Sequence, residues 1–293
     1  RIPILLIILW ILGSYIGSWY LLKPHNQGLT MPKELSQLGF ENQSYQGFEN
    51  NHLSAWQKLN NPENTTVILL HGVKADKSSL SQRALIYDSL GFNVILLDSR
   101  GHGESESMPI SFGWNESKDL RLIIENLNNQ GYKNIILHGL SLGAATAFYT
   151  LAGREMALAL ISESCYSDIQ SAFYHRMPDF PFKSMVFYPL FWFCEIKIGE
   201  SLSELNPAEK AKNINCPVLL MYGDNEKVLP IADSESIFEN ISSKSKKKIV
   251  FENADHIDFL KHNPEKYLKE LSLFLKPYAK PRTAKKRSGK EKR

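Results

Sequence analysis

The sequence predicts an α/β protein built on a mostly parallel sheet with helices on both faces. Three observations point that way. Short, near-continuous runs of Val, Ile and Leu alternate with helical segments, and strands with no polar face are strands covered on both sides. Polar, glycine-rich stretches fall directly after these runs, at the strand ends where such sheets bind ligands. Residues 135–143 read as strand, G-x-S-x-G, helix, the context in which a serine is raised on a tight bend.

Taken in order, the chain opens with Ile2 to Leu22, 21 residues without a charge. As a helix this run is about 31 Å long, enough to cross a bilayer core. A signal peptide has a shorter apolar run and a small-residue cleavage site, and no such site follows here. A core helix would carry a polar face. Residues 1–23 are therefore expected to be a single-pass membrane anchor, with too few flanking charges (Lys23, Lys33) to fix its orientation. Gly13 and Gly17, flanked by Ser14 and Ser18, have the spacing that lets two such helices pack closely, so a weak homodimer through the anchor is a further expectation. Residues 24–43, with Pro24, Gly28 and Pro32, read as a polar linker holding the globular part off the bilayer.

The main domain is expected over 44–276. Residues 44–48 and 52–57 alternate around Glu49-Asn50-Asn51 and predict a hairpin. Buried strands follow at Val67–Leu70, Val94–Leu97, Ile135–His138, Ala157–Ile161, Pro217–Tyr222 and Lys248–Phe251. Helices are expected at Ser78–Leu90, stopped by Gly91, at Glu116–Asn129 with its Leu120/Ile123/Ile124/Leu127 stripe, and from Ala144 onward. About 164–208 breaks the alternation and is crowded with rings, among them Phe173, Phe187, Phe191 and Trp192, interrupted by Pro178, Pro181 and Pro189. Cys165, Cys194 and Cys216 have no close spacing and read as free thiols rather than a disulfide framework or a zinc site.

The chemistry centres on Gly139-Leu140-Ser141-Leu142-Gly143. A hydroxyl at the tip of so sharp a turn needs a strained backbone at Ser141 and no side chains at the flanking glycines. The same turn brings the first N–H groups of the next helix beside the serine. Three further stretches stand at strand ends: Leu70-His71-Gly72-Val73, Asp98 to Ser105, and Asp255-His256. With these four motifs in order, residues 44–276 resemble the α/β-hydrolase superfamily. The Gly-His-Gly-Glu-Ser run of 101–105 looks like the serine-hydrolase branch that includes monoacylglycerol-lipase-like, BEM46-like and serine-aminopeptidase-like proteins.

The resemblance implies chain order Ser, acid, His, with His256 the base because it directly follows the last strand. The family's usual Gly-x-x-Asp is here Gly223-Asp224-Asn225-Glu226. Alignment puts Glu226 at the acid position, and Asp224 is the alternative should the turn be remodelled. The backbone N–H groups of Val73 and Leu142 are the expected oxyanion donors, His71 and His102 have structural or wall roles, and Asp98 and Arg100 read as a turn-bracing charge pair. The segment 164–208 falls where the family inserts a cap. An aromatic cap beside a membrane anchor suggests a lipophilic acyl substrate. The expected activity is hydrolysis of carboxylic esters or thioesters, with a peptidase on small peptides and a catalytically silent binding protein as the other readings. No cofactor or metal is implied. The tail, 277–293, is expected to be disordered; from Lys280 to Arg293 it holds eight Lys/Arg against one Glu, which leaves the preceding body with a net charge of −4. Its expected partner is an anionic lipid surface, and with no aromatic interleaving nucleic-acid binding is not expected.

Overall fold

The computed structural model describes residues 2–256 and 258–279. In chain order these form α1 (Ile2–Leu21), β1 (His25–Asn26), α2 (Lys33–Gln37), β2 (Glu41–Gln46), β3 (His52–Lys58), β4 (Thr66–Leu70), α3 (Ser81–Ser89), β5 (Asn93–Leu97), β6 (His102–Gly103), α4 (Trp114–Asn129) and β7 (Ile135–Leu140). Then come α5 (Leu142–Leu151), β8 (Ala159–Glu163), α6 (Ile169–His175), α7 (Lys183–Ile198), α8 (Pro207–Ala211), β9 (Val218–Gly223), α9 (Ile231–Asn240), β10 (Lys246–Phe251), α10 (Phe259–His262) and α11 (Pro264–Leu275). Eight strands make one sheet in the order β10-β9-β8-β7-β4-β5-β3-β2. Pairing is parallel from β10 to β5 and antiparallel from β5 through β3 to β2.

Alternation along each buried strand sorts its side chains onto two cores. Ile68, Leu70, Ile95 and Leu97 face one, closed by Leu120, Ile123 and Phe148 of α4 and α5. Val67, Leu69, Val94 and Leu96 face the other, closed by Tyr87 of α3 and by Tyr267 and Leu271 of α11. The elements expected from strand and helix periodicity are present, with ends shifted by up to three residues, as at Glu41 and Ser81, where caps and ladder bonds decide the boundary.

Two expectations, the linker and the start of the tail, are corrected, and the small-residue stripe of α1 gains a partner within the chain. Residues 24–43 are not a free linker: β1 pairs in parallel with β6, Leu35 and Phe40 are buried in the second core, and β2 already begins at Glu41. The stripe of small residues on α1 is used within the chain. Ser14 and Ser18 are buried, a Cβ at Gly17 would stand 3.0 Å from Leu190, and Lys197 donates to the Ser18 hydroxyl at 2.5 Å. This face of α1, from Ser14 to Ser18, seats α7. The tail begins later than expected, for Thr65 donates to the Tyr278 carbonyl at 2.9 Å and Tyr278 and Ala279 pack on the second core. The basic run from Lys280 lies outside the described residues.

Candidate active site

Ser141 sits between β7 and α5 at φ 50°, ψ −108°, a left-handed conformation that a side-chain-bearing residue holds only when its surroundings enforce it. Here they do. The Ser141 N–H donates to the Glu163 carbonyl at 2.8 Å. A Cβ at Gly139 would lie 2.3 Å from the Gly143 backbone, and one at Gly143 would lie 2.3 Å from the Leu70 carbonyl oxygen. Two glycines therefore let β7, β4 and α5 converge on the serine.

The loop after β10 brings His256 to it. Ser141 Oγ lies 3.2 Å from His256 Nε2, and His256 Nδ1 lies 2.5 Å from Glu226 Oε1. A carboxylate only accepts, so Nδ1 carries the proton and Nε2 is left to accept from the serine. Glu226 is nearly buried, and its second oxygen accepts from the Ser164 hydroxyl at 3.1 Å. Asp224, the other candidate acid, turns away: it accepts the Asn253 N–H at 2.6 Å. Asp255 accepts the N–H groups of Lys227 and His256, both at 2.7 Å. Those two bonds hold its carboxyl below the usual range and tie the Glu226 turn to the His256 loop.

Val73 and Leu142 flank the serine on the loop after β4 and the first turn of α5. A Cβ at Gly72 would stand 3.5 Å from that of Ser141, so the loop after β4 runs directly beside the serine. His71 and His102 shape this loop. The Ser99 N–H donates to His71 Nε2 at 3.1 Å and Nδ1 faces the Gly72 carbonyl at 2.8 Å. His102 receives the Lys74 N–H at 3.4 Å while its Nδ1 faces the Arg100 carbonyl at 2.9 Å. Burial, then the neighbouring His102, pushes the His71 pKa down to about 3, and burial also lowers His102. Asp98 and Arg100 do brace turns, but not by pairing with each other. Asp98 holds Lys77 at 2.5 Å, and Arg100 forms a fork on Asp119 at 2.7 and 2.8 Å.

Sequence reasoning missed a buried network behind the elbow, because its members lie far apart in the chain. Arg83 binds both oxygens of Glu163, at 3.0 and 2.7 Å, and reaches Asp258 at 2.9 Å. His138 and the Tyr267 hydroxyl each contact Glu163 Oε1 at 2.7 Å. Burial alone would raise the Glu163 carboxyl, but the Arg83 charge and the His138 hydrogen bond outweigh it and hold it low. The network joins β8, whose end carbonyl holds the Ser141 N–H, to the segment just beyond His256.

A cavity of about 330 Å³ opens at Ser141. Its walls are mainly apolar and include Phe112, Tyr166, Phe173 and Phe191, and the end of α1 contributes Tyr20 and Leu21. Of these, the wall from α1 had no signal in the sequence.

Residues 67–270 match the profile described as Alpha/beta hydrolase family. Among curated relatives, an uncharacterised Bacillus subtilis protein, YqkD, is 26% identical over 221 residues, covering 72% of this chain and 70% of its own. The lysophosphatidylserine lipase ABHD12 of Danio rerio is 26% identical over 201 residues, which are 65% of this chain but 50% of that protein. Among solved structures, the Pyrococcus furiosus esterase Pf2001 superposes with a TM-score of 0.70 at 21% identity, over 86% of this chain and 97% of its own.

Proposed function

We propose that this chain, which belongs to the alpha/beta hydrolase family, is a serine hydrolase of lipophilic carboxylic esters or thioesters. One observation carries the reading: the run from Ser141 Oγ through His256 to Glu226, at 3.2 and 2.5 Å, at the foot of an apolar cavity. Relatives that are esterases and lipases by name support ester hydrolysis in general.

In this reading Ser141 attacks the acyl carbonyl while His256 Nε2 takes its proton. Glu226 keeps the imidazole in the right tautomer and stabilises it once charged. The N–H groups of Val73 and Leu142 receive the oxyanion, and each such donor contributes roughly 3 kcal/mol to the transition state. His256 then protonates the leaving alcohol or thiol, and water releases the acid from the acyl-enzyme by the same steps. Labelling with a fluorophosphonate tests the reading: the wild-type chain labels and Ser141→Ala does not. Failure of the wild type to label would leave a silent binding protein. Rates on p-nitrophenyl esters should rise with acyl length beyond acetate, and a steep preference for acetate would overturn the lipophilic assignment.

The same proposal takes α1 as a membrane anchor. Beside its last ~17 Å, from the Trp10 contact with the Val186 carbonyl onward, runs α7. Phe182, Met185, Tyr188 and Ile196 are exposed on or at the start of α7 and extend the apolar surface of α1. The chain should stay with membranes through alkaline carbonate washing, and release into the supernatant would overturn the anchor.

A further inference from the structure

We propose that the ester taken by this cavity is single-chained and carries an anionic headgroup, a phosphate or carboxylate, held at the mouth by Lys23, His25 and Lys74. This rests on the serine-hydrolase reading and names its substrate class.

The charge of the lining carries the inference. Lys23, His25, Lys74 and Arg176 line the cavity, and among the described residues no Asp or Glu does, although the chain up to residue 279 has a net charge of −4. Some lysines elsewhere find carboxylates, Lys210 with Glu204, Lys212 with Glu209, Lys247 with Glu270 and Lys248 with Glu235, while exposed lysines such as Lys33, Lys133 and Lys244 are in no ion pair among the described residues. It is the gathering of cations on a wall without a carboxylate that sets the cavity apart. Lys23 and Lys74 form no ion pair among the described residues. Arg176, on the cap side, feels the charges of Glu226 and Asp233 and donates to the Ala172 carbonyl, so it belongs to the charge balance of the Ser141 site.

The backbone holds the other three together. The pairing of β1 with β6 sets His25 opposite His102, and His102 accepts the Lys74 N–H. Lys74 follows Val73 directly and is itself held at φ 61°. The pKa of His25 is lowered by burial and then by His102, Lys74 and Lys23, the mark of like charges gathered without a counter-charge. Asp76, behind them, is buried and taken up by the Ser78 N–H and the Gln27 side chain. An anion at the mouth would relieve that repulsion through charge-assisted hydrogen bonds. With the carbonyl at Ser141, the acyl chain runs beneath Phe112, Phe173 and Phe191. A volume of about 330 Å³ stands at the small end of ligand pockets and suits one chain rather than two.

The test uses the full chain in zwitterionic micelles with four oleoyl esters: monooleoylglycerol, its hemisuccinate, lysophosphatidylcholine and lysophosphatidylglycerol. The expected result is a kcat/KM about tenfold higher for the hemisuccinate and lysophosphatidylglycerol than for the uncharged and phosphocholine esters. In K23Q/K74Q that ratio should fall towards one, in K23R/K74R it should persist, and added salt should narrow it. If only one of the two anionic esters is favoured, the headgroup is the phosphate or the carboxylate accordingly. Equal or faster turnover of monooleoylglycerol by a chain whose Ser141 labels, or a preference unchanged in K23Q/K74Q, overturns this inference alone. No labelling of Ser141 overturns the hydrolase reading and this one with it.

Discussion

Two carboxylates two residues apart can be given different work by their hydrogen bonds. Glu226 faces His256 Nδ1, whereas Asp224 holds a backbone N–H of the neighbouring turn. Glu226→Ala should therefore lower kcat by roughly 10³–10⁴-fold and Asp224→Ala by only a few-fold; the reverse ranking in ester turnover would move the acid role to Asp224. The histidines beneath the Val73 loop predict a pH effect on stability. With its pKa pushed down to about 3, His71 stays neutral in the fold, while in the unfolded chain it protonates near 6.5. Below pH 6.5 the unfolded state thus binds a proton that the folded state refuses. Stability is fully present above that point and is lost on acidification, by up to about 1.4 kcal/mol per pH unit down to the folded pKa. Thermal midpoints at pH 7.5 and 5.0 should show a smaller acid loss for His71→Asn than for the wild type. The slope will be shallower rather than flat, since burial also lowers His102 and His138. An equal loss in both proteins would refute the assignment.

At the scale of elements, the elbow is a place where three backbones meet. Gly143→Ala would put a Cβ against the Leu70 carbonyl of β4, and since backbone cannot step aside as a side chain can, α5 must lift off the sheet. Gly72→Ala meets Ser141 Cβ and the Leu140 oxygen only at ordinary contact distances, 3.5 and 3.6 Å. Thermal melts should show Gly143→Ala destabilised by about 1–3 kcal/mol or more and Gly72→Ala near wild type, with Gly72→Ala nevertheless slower on esters because its methyl crowds the oxyanion loop. Matching melts for the two would remove the steric argument. These elements were legible because each is announced by local chemistry: a β-branched run, then a glycine turn, then a helix. Ser141 and His256 could likewise be picked out from their positions after β7 and β10, whereas Glu226 came only from the resemblance, by alignment on the family's Gly-x-x-Asp, with Asp224 left as the alternative. Asp119 as the partner of Arg100 and Asp258 as a partner of Arg83 could not, for nothing in the sequence marks which strand end a long side chain will cross to.

The whole molecule departs most from its sequence at the junction of α1 and the body. Polarity, Pro24 and Gly28 suggested a spacer, but polar residues also pair as strands when a partner edge is near, and β1 finds one at β6. What ties α1 down is tertiary packing: Leu22 is 2% exposed, its carbonyl accepts the Ile110 N–H at 3.1 Å, and Tyr20 and Leu21 wall the cavity. Ahead of Trp10, whose indole donates to the Val186 carbonyl at 2.9 Å, α1 shows no such contacts among the described residues, whereas from Trp10 onward it runs along α7. Two truncations separate these roles. A chain starting at Gly13 gives up the exposed Trp10 bond to Val186 but keeps the Tyr15 contact with Phe193, the Lys197 bond to Ser18 and the cavity wall; in detergent it should melt close to the full chain and keep its preference among acyl lengths. A chain starting at Lys23 loses Leu22, whose burial is worth about 1.5–3 kcal/mol, and opens the cavity along α7. Its midpoint should fall by roughly 3–10 °C, and its selectivity among p-nitrophenyl esters should flatten because the wall that confines the chain is gone. If the two truncations behave alike, α1 adds nothing to the cavity; if they differ in this way, the helix proposed above as an anchor also completes the cavity at Ser141.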